Sequence, residues 1–340
     1  MRELILGIES SCDETAACIL EDGEKILSNV VATQIDTHAS FGGVMPEIAS
    51  RLHVNNILPV LKECFFKAGI EPSELSAVAA TTKPGLIGAL HVGALAGKTI
   101  AEYLDIPFIS CHHLAGHIYA SEFASKFQFP LLAIIVSGGN SELVYMEDHL
   151  KFKLIGETLD DAIGEGLDKI ARELGLPYPG GVQIDRLTKD QDITPIRLPK
   201  VRTNGYNLSY SGLKSHTIRL IRESKSKGEL DENKIKQFAF SIEKAFVDQL
   251  LDKAFKAATD LDVNQIVLGG GVSANSYLRK EIIRRNNNRF TVTIPPLWCT
   301  TDNAAMIAKL GHHLYQKKCF SSLDCKIEAS SSLESFSIKD

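Results

Sequence analysis

The chain has 340 residues, 44% of them hydrophobic and 23% charged, and its formal net charge is −5. That length suits two ordinary domains with real cores. The acidic balance excludes a global electrostatic attraction to nucleic acid, so any contact with RNA needs a local basic patch or a partner protein.

The same sequence also bears on compartment. No apolar run approaches the length of a membrane span, and the first residues lead directly into a strand without a signal-peptide pattern. The seven cysteines are odd in number and contain no CxxC pair. We therefore expect reduced thiols in a cytoplasmic protein that does not contact membranes.

The first predicted elements form a three-stranded meander, and this pattern occurs twice. Residues 4–33 contain a strand, a polar turn, a second strand, a hairpin and a third strand, and residues 131–158 repeat that order. A strand, a Gly-rich turn and a helix also occur twice, at residues 77–101 and 265–285, each followed by a further strand. Hydrophobic runs bounded by turn residues are typical of strands.

These repeats predict a duplicated α/β fold with two lobes and a central cleft that holds a nucleotide. Lobe I is predicted to contain residues 1–112 and 303–320, and lobe II residues 113–302. The tail, residues 321–340, is rich in Ser and charge and is predicted to be disordered. The alternative is two unrelated α/β domains that resemble each other by accident.

Four turns rich in glycine or hydroxyl groups follow apolar strands. Glycine allows the backbone to approach a phosphate, and a helix N-terminus favours an anion, so four such turns indicate a phosphate-bearing ligand. They lie at residues 10–14, 82–85, 137–140 and 269–275. In the first turn Asp13 and Glu14 could hold a cation or accept a proton, although turn capping explains them equally well.

Two further carboxylates, Asp168 and Asp185, flank the turn at residues 178–181. One carboxylate on each side of a rigid turn could bind ribose hydroxyls or an amino group. Helix capping is the alternative for each residue taken singly.

His113 and His117 are four residues apart, which places both imidazoles on one side of a helix, where they can grip one metal ion. Asp302, far downstream, could supply a third ligand. Leu114 stands where a zinc protease of the HExxH type has its general-base Glu, which argues against a peptidase. The donor set suits iron or zinc. Ordinary core or surface histidines are the alternative.

The stretch 197–227 is locally basic and contains Tyr206 and Tyr210, and a smaller basic patch includes Arg284, Arg285 and Arg289. Either patch could contact RNA, although a solvated helix face would explain most of these charges.

Taken together, these segments resemble the TsaD family, also called Gcp or YgjD, over the chain to about residue 317. Nine ordered motifs carry the resemblance: GIESSCDET at 7–15, GGVMPEIASR at 42–51, PGLIG at 84–88, HHLAGH at 112–117, VSGG at 136–139, YPGG at 178–181, SYSGLK at 209–214, GGGVSAN at 269–275 and TDNAAMIA at 301–308. Lys83 departs from the pattern, because the family usually has Gly there.

The resemblance implies a duplicated actin-like ATPase (ASKHA) fold. It implies transfer of a threonylcarbamoyl group from threonylcarbamoyl-adenylate to N6 of the adenosine 3′ of the anticodon, in tRNAs reading codons that start with A. Metal ligation is implied at His113, His117 and Asp302. Substrate contacts are implied at Ile135, Val136, Ser137, Gly138, Gly139, Asp168, Gly181, Asp185 and Asn275.

The resemblance also implies partners. Beside tRNA, the family works in bacteria with a degenerate, TsaB-like paralogue that dimerises with it and a small, TsaE-like ATPase. The nucleotide bound would be threonylcarbamoyl-adenylate or ATP, together with one divalent metal, for which the resemblance favours iron(II) over zinc(II). Asp13 or Glu14 would accept the proton that N6 loses in the transfer.

Rival hypotheses are a small-molecule kinase of the same superfamily and a non-catalytic, ATP-dependent scaffold.

Overall fold

The structure is a computed structural model that describes residues 2–338, within which the chain forms ten strands and eleven α-helices. The strands are β1 (Leu4–Glu9), β2 (Glu14–Glu21), β3 (Lys25–Thr33), β4 (Ala77–Lys83), β5 (Phe108–His112), β6 (Leu131–Val136), β7 (Ser141–Met146), β8 (Phe152–Glu157), β9 (Gln265–Gly269) and β10 (Thr291–Thr293). The helices are α1 (Ile35–Ala39), α2 (Pro46–Ala68), α3 (Ile87–Leu104), α4 (His113–Tyr119), α5 (Ile163–Glu173), α6 (Gly180–Thr188), α7 (Ser211–Ser226), α8 (Glu232–Asp260), α9 (Ser276–Asn286), α10 (Ala304–Gln316) and α11 (Leu333–Phe336).

The strands form two five-stranded sheets with the same order. One sheet runs β3-β2-β1-β4-β5, and the other runs β8-β7-β6-β9-β10. In each, the first strand of a meander pairs antiparallel with the next strand along the chain and parallel with a strand that follows a helix. The predicted duplication of an α/β fold is therefore confirmed.

Among the described residues the chain divides into two compact units. Unit 1 contains residues 2–126, 149–152 and 295–338, and unit 2 contains residues 127–148 and 153–294. These units differ in extent from the predicted lobes, because residues 113–126, 149–152 and 295–302 belong to unit 1. The reason is local packing, since α4 continues directly from β5 and lies against α10.

In unit 1 the central strand β1 is buried along its whole length, and α10 packs directly upon it. A Cβ at Gly7 would lie 2.5 Å from the carbonyl oxygen of Ala304, so only glycine permits this close approach of helix to strand. Leu6, Ile8 and Val78 contribute to a core that α2 and α3 complete. This packing fixes the first turn of α10 beside the end of β1.

In unit 2 the long helix α8 supplies a large part of the core. Its buried Ile242, Phe246 and Leu250 pack with Ile134 of β6 and Ile170 of α5. Burying an aliphatic or aromatic side chain of this size stabilises a fold by about 1.5–3 kcal/mol. The turns at the ends of β6 and β9 are therefore anchored on a rigid base.

The described part of the tail, residues 321–338, is ordered on unit 1, which corrects the prediction of disorder; residues 339 and 340 lie outside the described residues. The backbone N–H of Glu328 donates to the Thr82 carbonyl at 2.9 Å, and that of Gly85 donates to the Ala329 carbonyl at 3.1 Å. Lys83 forms an ion pair with Glu328 at 3.2 Å. Lys83, the departure from the family pattern, thus holds the tail.

Within residues 2–338, no α-helix is both long enough and apolar enough to span a bilayer. The seven cysteines, all within the described residues, form no disulfide with one another.

Candidate functional site

The two histidines of the HxxxH pattern lie on α4, which begins at His113 immediately after β5 ends at His112. Four residues make just over one helical turn, so the two rings lie one above the other. Their centroids are 4.7 Å apart, with the ring planes nearly perpendicular. The His117 side chain is 1% exposed and that of His113 is 12% exposed.

Asp302 precedes α10, whose N-cap is Asn303. The Asn303 side chain accepts a hydrogen bond from the Met306 N–H at 3.2 Å, which fixes the start of the helix. Because α10 packs against both β1 and α4, this cap places Asp302 at the histidines.

The three side chains form a candidate metal site. Asp302 Oδ1 lies 3.1 Å from His117 Nε2 and 3.6 Å from His113 Nε2, and one ligand atom from each residue lies within 4.8 Å of the others. Around a tetrahedral ion with bonds of about 2.0–2.1 Å, neighbouring ligand atoms are about 3.3 Å apart. Two imidazoles and a carboxylate in this arrangement therefore fit a divalent transition metal.

Glu9, which the sequence did not single out, supports the other side of the His113 ring. Its Oε2 lies 3.2 Å from His113 Nδ1 and accepts a hydrogen bond from the Thr81 hydroxyl at 2.6 Å. Its Oε1 accepts from the Ser11 N–H at 2.5 Å. Metal-binding histidines are commonly held in this way by a carboxylate on the remaining ring nitrogen. The sequence feature that could have identified Glu9 is its position as an acidic residue at the end of an otherwise apolar strand.

The charges of His113, Asp302 and Glu9 determine which of these side chains are protonated. Burial alone would lower the pKa of His113, but the Asp302 and Glu9 carboxylates outweigh burial and raise that pKa to about 9. Burial alone would raise the pKa of Asp302, but the charge of His113 and the hydrogen bond with His117 lower it to about 2. The His113 charge also outweighs burial at Glu9 and lowers its pKa.

A pH dependence of metal binding follows from the raised pKa of His113. A metal ion needs the neutral imidazole, so below pH 9 binding must displace a proton. We expect the apparent affinity to rise about tenfold per pH unit between about pH 6.5 and about pH 8.5. Calorimetric titration with cobalt(II) at several pH values, with the His113→Ala titration subtracted, measures this change. An affinity that stays constant over this interval would contradict it.

Asp13 and Glu14 belong to the same unit and are each 8% exposed. Glu14 Oε1 accepts a hydrogen bond from the Thr33 hydroxyl at 3.2 Å. Burial, together with the charges of Asp302 and Asp13, raises the pKa of Glu14 well above its usual range. A carboxyl with a raised pKa holds a proton strongly.

The other predicted residues lie in unit 2, where they are linked by hydrogen bonds. Ile135 and Val136 end β6, and Gly138 and Gly139 form the exposed tip of the turn that follows. The Ser137 carbonyl accepts from the Gly164 N–H at 3.2 Å, which joins this turn to the start of α5.

Three polar side chains continue these links through the helices. Asp168 of α5 accepts from the Gly181 N–H at 3.0 Å, and so joins α5 to the first turn of α6. Asp185 of α6 accepts from the N–H and the hydroxyl of Ser276, at 2.8 and 2.6 Å. Asn275 caps α9 by accepting from the Leu278 N–H at 2.8 Å. Asp168 and Asp185, for which sequence reasoning left helix capping open, thus each accept a backbone N–H in the first turn of a helix, and Asn275 caps α9 as well.

Gly270, which follows β9, lies directly against the end of β6: a Cβ on Gly270 would be 2.4 Å from the Val136 carbonyl oxygen. The series of contacts that starts at β6 and runs through α5, α6 and α9 therefore returns to β6. The end of β6, α5, α6 and the start of α9 therefore form a closed ring of contacts, which we call the unit 2 ring. Every predicted substrate residue lies on it.

Glu243 of α8 was not predicted, yet it supports this ring from beneath. It is 1% exposed, and it accepts hydrogen bonds from Asn275 Nδ2 at 2.6 Å and the Thr188 hydroxyl at 2.7 Å. Burial raises the pKa of Glu243 to about 7. A Glu in the middle of an apolar helix face was the available signal.

Much of the predicted basic surface is neutralised by carboxylates. Arg219 pairs with Glu223, Arg222 with Glu173, and both Arg284 and Arg285 with Glu281. Tyr210 is wholly buried beside Phe246, so its suggested place on an RNA surface is wrong. Arg197, Lys200 and Arg202 lie in a segment without helix or strand.

The architecture and the His–His–Asp cluster define an actin-like, duplicated α/β protein with a candidate metal centre. Solved structures agree on the fold. HypF from T. kodakarensis matches with a TM-score of 0.63 at 14% identity over 93% of this chain and 48% of its own. Component A of (R)-2-hydroxyglutaryl-CoA dehydratase from Acidaminococcus fermentans matches with a TM-score of 0.52 at 13% identity over 94% and 99%.

The sequence comparisons are more specific. The family model described as TsaD, tRNA N6-adenosine threonylcarbamoyltransferase, matches residues 25–309. Relatives of that name are 48% identical over 92% of this chain and 91% of the Bacillus subtilis (strain 168) protein, and 46% identical over 98% and 97% for the Halalkalibacterium halodurans protein. The chain belongs to the TsaD family of transferases.

Proposed function

We propose that this protein transfers the threonylcarbamoyl group from threonylcarbamoyl-adenylate to N6 of the adenosine 3′ of the anticodon, in tRNAs reading A-starting codons, and releases AMP. The observation that carries the proposal is identity of 46–48% over nearly the whole length of relatives named for this transfer. The expected site residues also fall into two locally organised groups, one in each unit.

The first group would hold a divalent metal on His113, His117 and Asp302, with iron(II) favoured over zinc(II). Such an ion supplies Lewis-acid stabilisation of developing negative charge and a template for orienting a reactant. Glu9 and Ser11 orient the His113 ring, since Glu9 Oε2 and the Ser11 hydroxyl lie 3.2 and 3.0 Å from Nδ1.

The reaction itself needs positioning and proton removal. The donor is a carbonyl–phosphate mixed anhydride, so the N6 lone pair attacks the carbonyl carbon, the bond to the phosphate oxygen breaks, and AMP leaves. The adenine amine is a poor nucleophile because its lone pair is delocalised, and correct orientation can contribute about 7–11 kcal/mol. Asp13 or Glu14 would accept the proton that N6 loses. The raised pKa of Glu14 makes its ionised form a stronger base than an ordinary carboxylate.

The second group would hold the nucleotide, either threonylcarbamoyl-adenylate or ATP. In the unit 2 ring, the exposed Gly138 and Gly139 leave backbone N–H groups open to a phosphate. Asp168, Gly181, Asp185 and Asn275 would contact the remainder of the ligand. Glu243 fixes the Asn275 amide and thereby positions it.

Partners are proposed on the same family basis. A TsaB-like paralogue would dimerise with the chain and a TsaE-like ATPase would join it. Exposed apolar side chains on α2 and α3 support a protein interface, among them Leu58 at 63%, Phe66 at 87% and Tyr103 at 87% exposure. Arg197, Lys200 and Arg202 are candidates for contact with tRNA phosphates. Cysteines that form no disulfide, and a tRNA substrate, support a cytoplasmic location.

The proposal is tested by supplying the purified protein, with its partners, with threonylcarbamoyl-adenylate and unmodified tRNA. We expect AMP and N6-threonylcarbamoyladenosine to form in equal amounts, as measured by nucleoside mass spectrometry. The same nucleoside should disappear from bulk tRNA of depleted cells and return with the wild-type gene.

Two other outcomes would refute transfer. Formation of ADP from ATP with a sugar or acid acceptor, without modified tRNA, would identify a kinase. Normal binding of tRNA and partners, with the nucleoside unchanged in depleted cells, would identify a scaffold.

A further inference from the structure

Unit 1 contains a second cluster of metal-ligating side chains, formed by Glu122, His149 and His313. Glu122 lies in the short 3-10 helix Ala120–Phe123 after α4, His149 in the segment 149–152, and His313 in the last turn of α10. One ligand atom from each lies within 4.8 Å of the others. None of them belongs to the candidate metal site described above.

The two imidazoles face a single buried carboxylate. His313 Nε2 lies 2.6 Å from Glu122 Oε2, and His149 Nε2 lies 4.0 Å from Oε1. The rings are stacked with centroids 4.2 Å apart. The Glu122 side chain is 7% exposed, so its charge is held away from bulk water. Small shifts would bring all three atoms to the separation of about 3.3 Å that a tetrahedral ion requires.

The far side of the His149 ring is already fixed. Its Nδ1 lies 3.2 Å from the Tyr119 hydroxyl, which accepts a hydrogen bond from the Leu150 N–H at 3.0 Å. The Tyr119 oxygen can also accept from Nδ1–H, which leaves Nε2 as the lone-pair atom directed at Glu122. Such a partner on the outer nitrogen is the usual arrangement for a metal-bound histidine.

The positive charge of Lys309 would repel a cation bound at this cluster. Lys309 Nζ lies 3.6 Å from Glu122 Oε2, although its shorter bond, at 2.7 Å, goes to the Gly23 carbonyl. Lys309 can therefore keep its main partner while an ion binds Glu122. Its charge should make this cluster bind metal more weakly than the first.

We propose that Glu122, His149 and His313 form a second divalent-metal site, of the zinc type, with a structural role. Two imidazoles and one carboxylate are the ligands that zinc accepts in proteins. An ion there would tie α10 to the turn after α4 and to the segment 149–152. It would not take part in group transfer.

The test counts ions. Full-length protein freed of metal by chelation is titrated with cobalt(II) chloride, with equilibrium dialysis for stoichiometry and visible absorption for coordination geometry. We expect two ions per chain in the wild type, one in His149→Gln and one in His113→Ala. The matched control is His312→Gln, which changes the neighbouring histidine that pairs with Glu3 at 2.6 Å. It should still bind two.

The outcomes separate this site from the first one. Two ions in His149→Gln, or a wild type whose one ion is lost in His113→Ala but kept in His149→Gln, would overturn the second site. One wild-type ion that is lost in His149→Gln and kept in His113→Ala would leave it standing and refute the first. Should His149→Gln fail to fold, as judged by circular dichroism, Glu122→Gln replaces it, with the same expected loss of one ion.

Discussion

Replacing His113 with Ala is expected to remove one bound metal ion per chain and to lower the rate of threonylcarbamoyl transfer at least about 100-fold. The ring is clamped between the Glu9 and Asp302 carboxylates, so its loss removes a ligand and leaves two buried acids without their shared partner. Ion counting and nucleoside mass spectrometry on the purified variant measure both effects.

The matched control is His91→Ala, which removes an exposed histidine from α3 of the same unit. It should retain the wild-type metal content and rate. Transfer at the wild-type rate by metal-free His113→Ala would refute a role for the metal in the reaction.

Replacing Gly270 with Ala is expected to lower the free energy of unfolding by about 2–4 kcal/mol. Its φ is +89°, a conformation that favours glycine, and the added Cβ would lie 2.4 Å from the Val136 carbonyl oxygen. Because that contact closes the unit 2 ring, the backbone must shift in the turn that follows β6. Urea denaturation followed by circular dichroism measures the loss.

Gly271→Ala is the control, since a Cβ at that neighbouring position meets no atom within 4 Å. Its free energy of unfolding should stay within about 0.5 kcal/mol of the wild type. Equal losses in the two variants would show that the contact with Val136 does not explain the effect.

The duplication was predictable because each meander and each strand–turn–helix repeat leaves a local pattern. Strand β1, for example, is an apolar run followed at once by polar residues, and β6 repeats that pattern. The proximity of His113 and His117 also needed only the helical period. A single sequence shows clearly how apolar and polar residues alternate within one helix or strand.

Burial that depends on distant segments was not predictable. Tyr210 looked like a surface aromatic between cations, but it fills the core of unit 2 beside Phe246. Glu9 and Glu243 are charged residues inside buried elements, and only the fold reveals that their partners are Thr81, His113, Thr188 and Asn275. These residues lie too far apart in the chain for spacing to connect them.

The order of the tail was also missed because it depends on contacts with segments distant in the chain. Its Ser-rich, charged composition matches disorder, yet backbone hydrogen bonds to Thr82 and Gly85 and the ion pair with Lys83 hold it. Composition measures how much apolar surface a segment can bury, and it is silent about hydrogen bonds with a preformed neighbour.

The position of this tail has a consequence for the protein's solubility. Strand β5 is an edge strand of its sheet. Ser321 pairs with Phe108 of this strand, and the Ser321 hydroxyl accepts a hydrogen bond from the Ser110 N–H at 3.1 Å. An uncovered edge strand is a template to which a strand from another molecule can add. A chain shortened at residue 320 would keep both groups of site residues but would expose this edge strand, so truncation is expected to promote self-association.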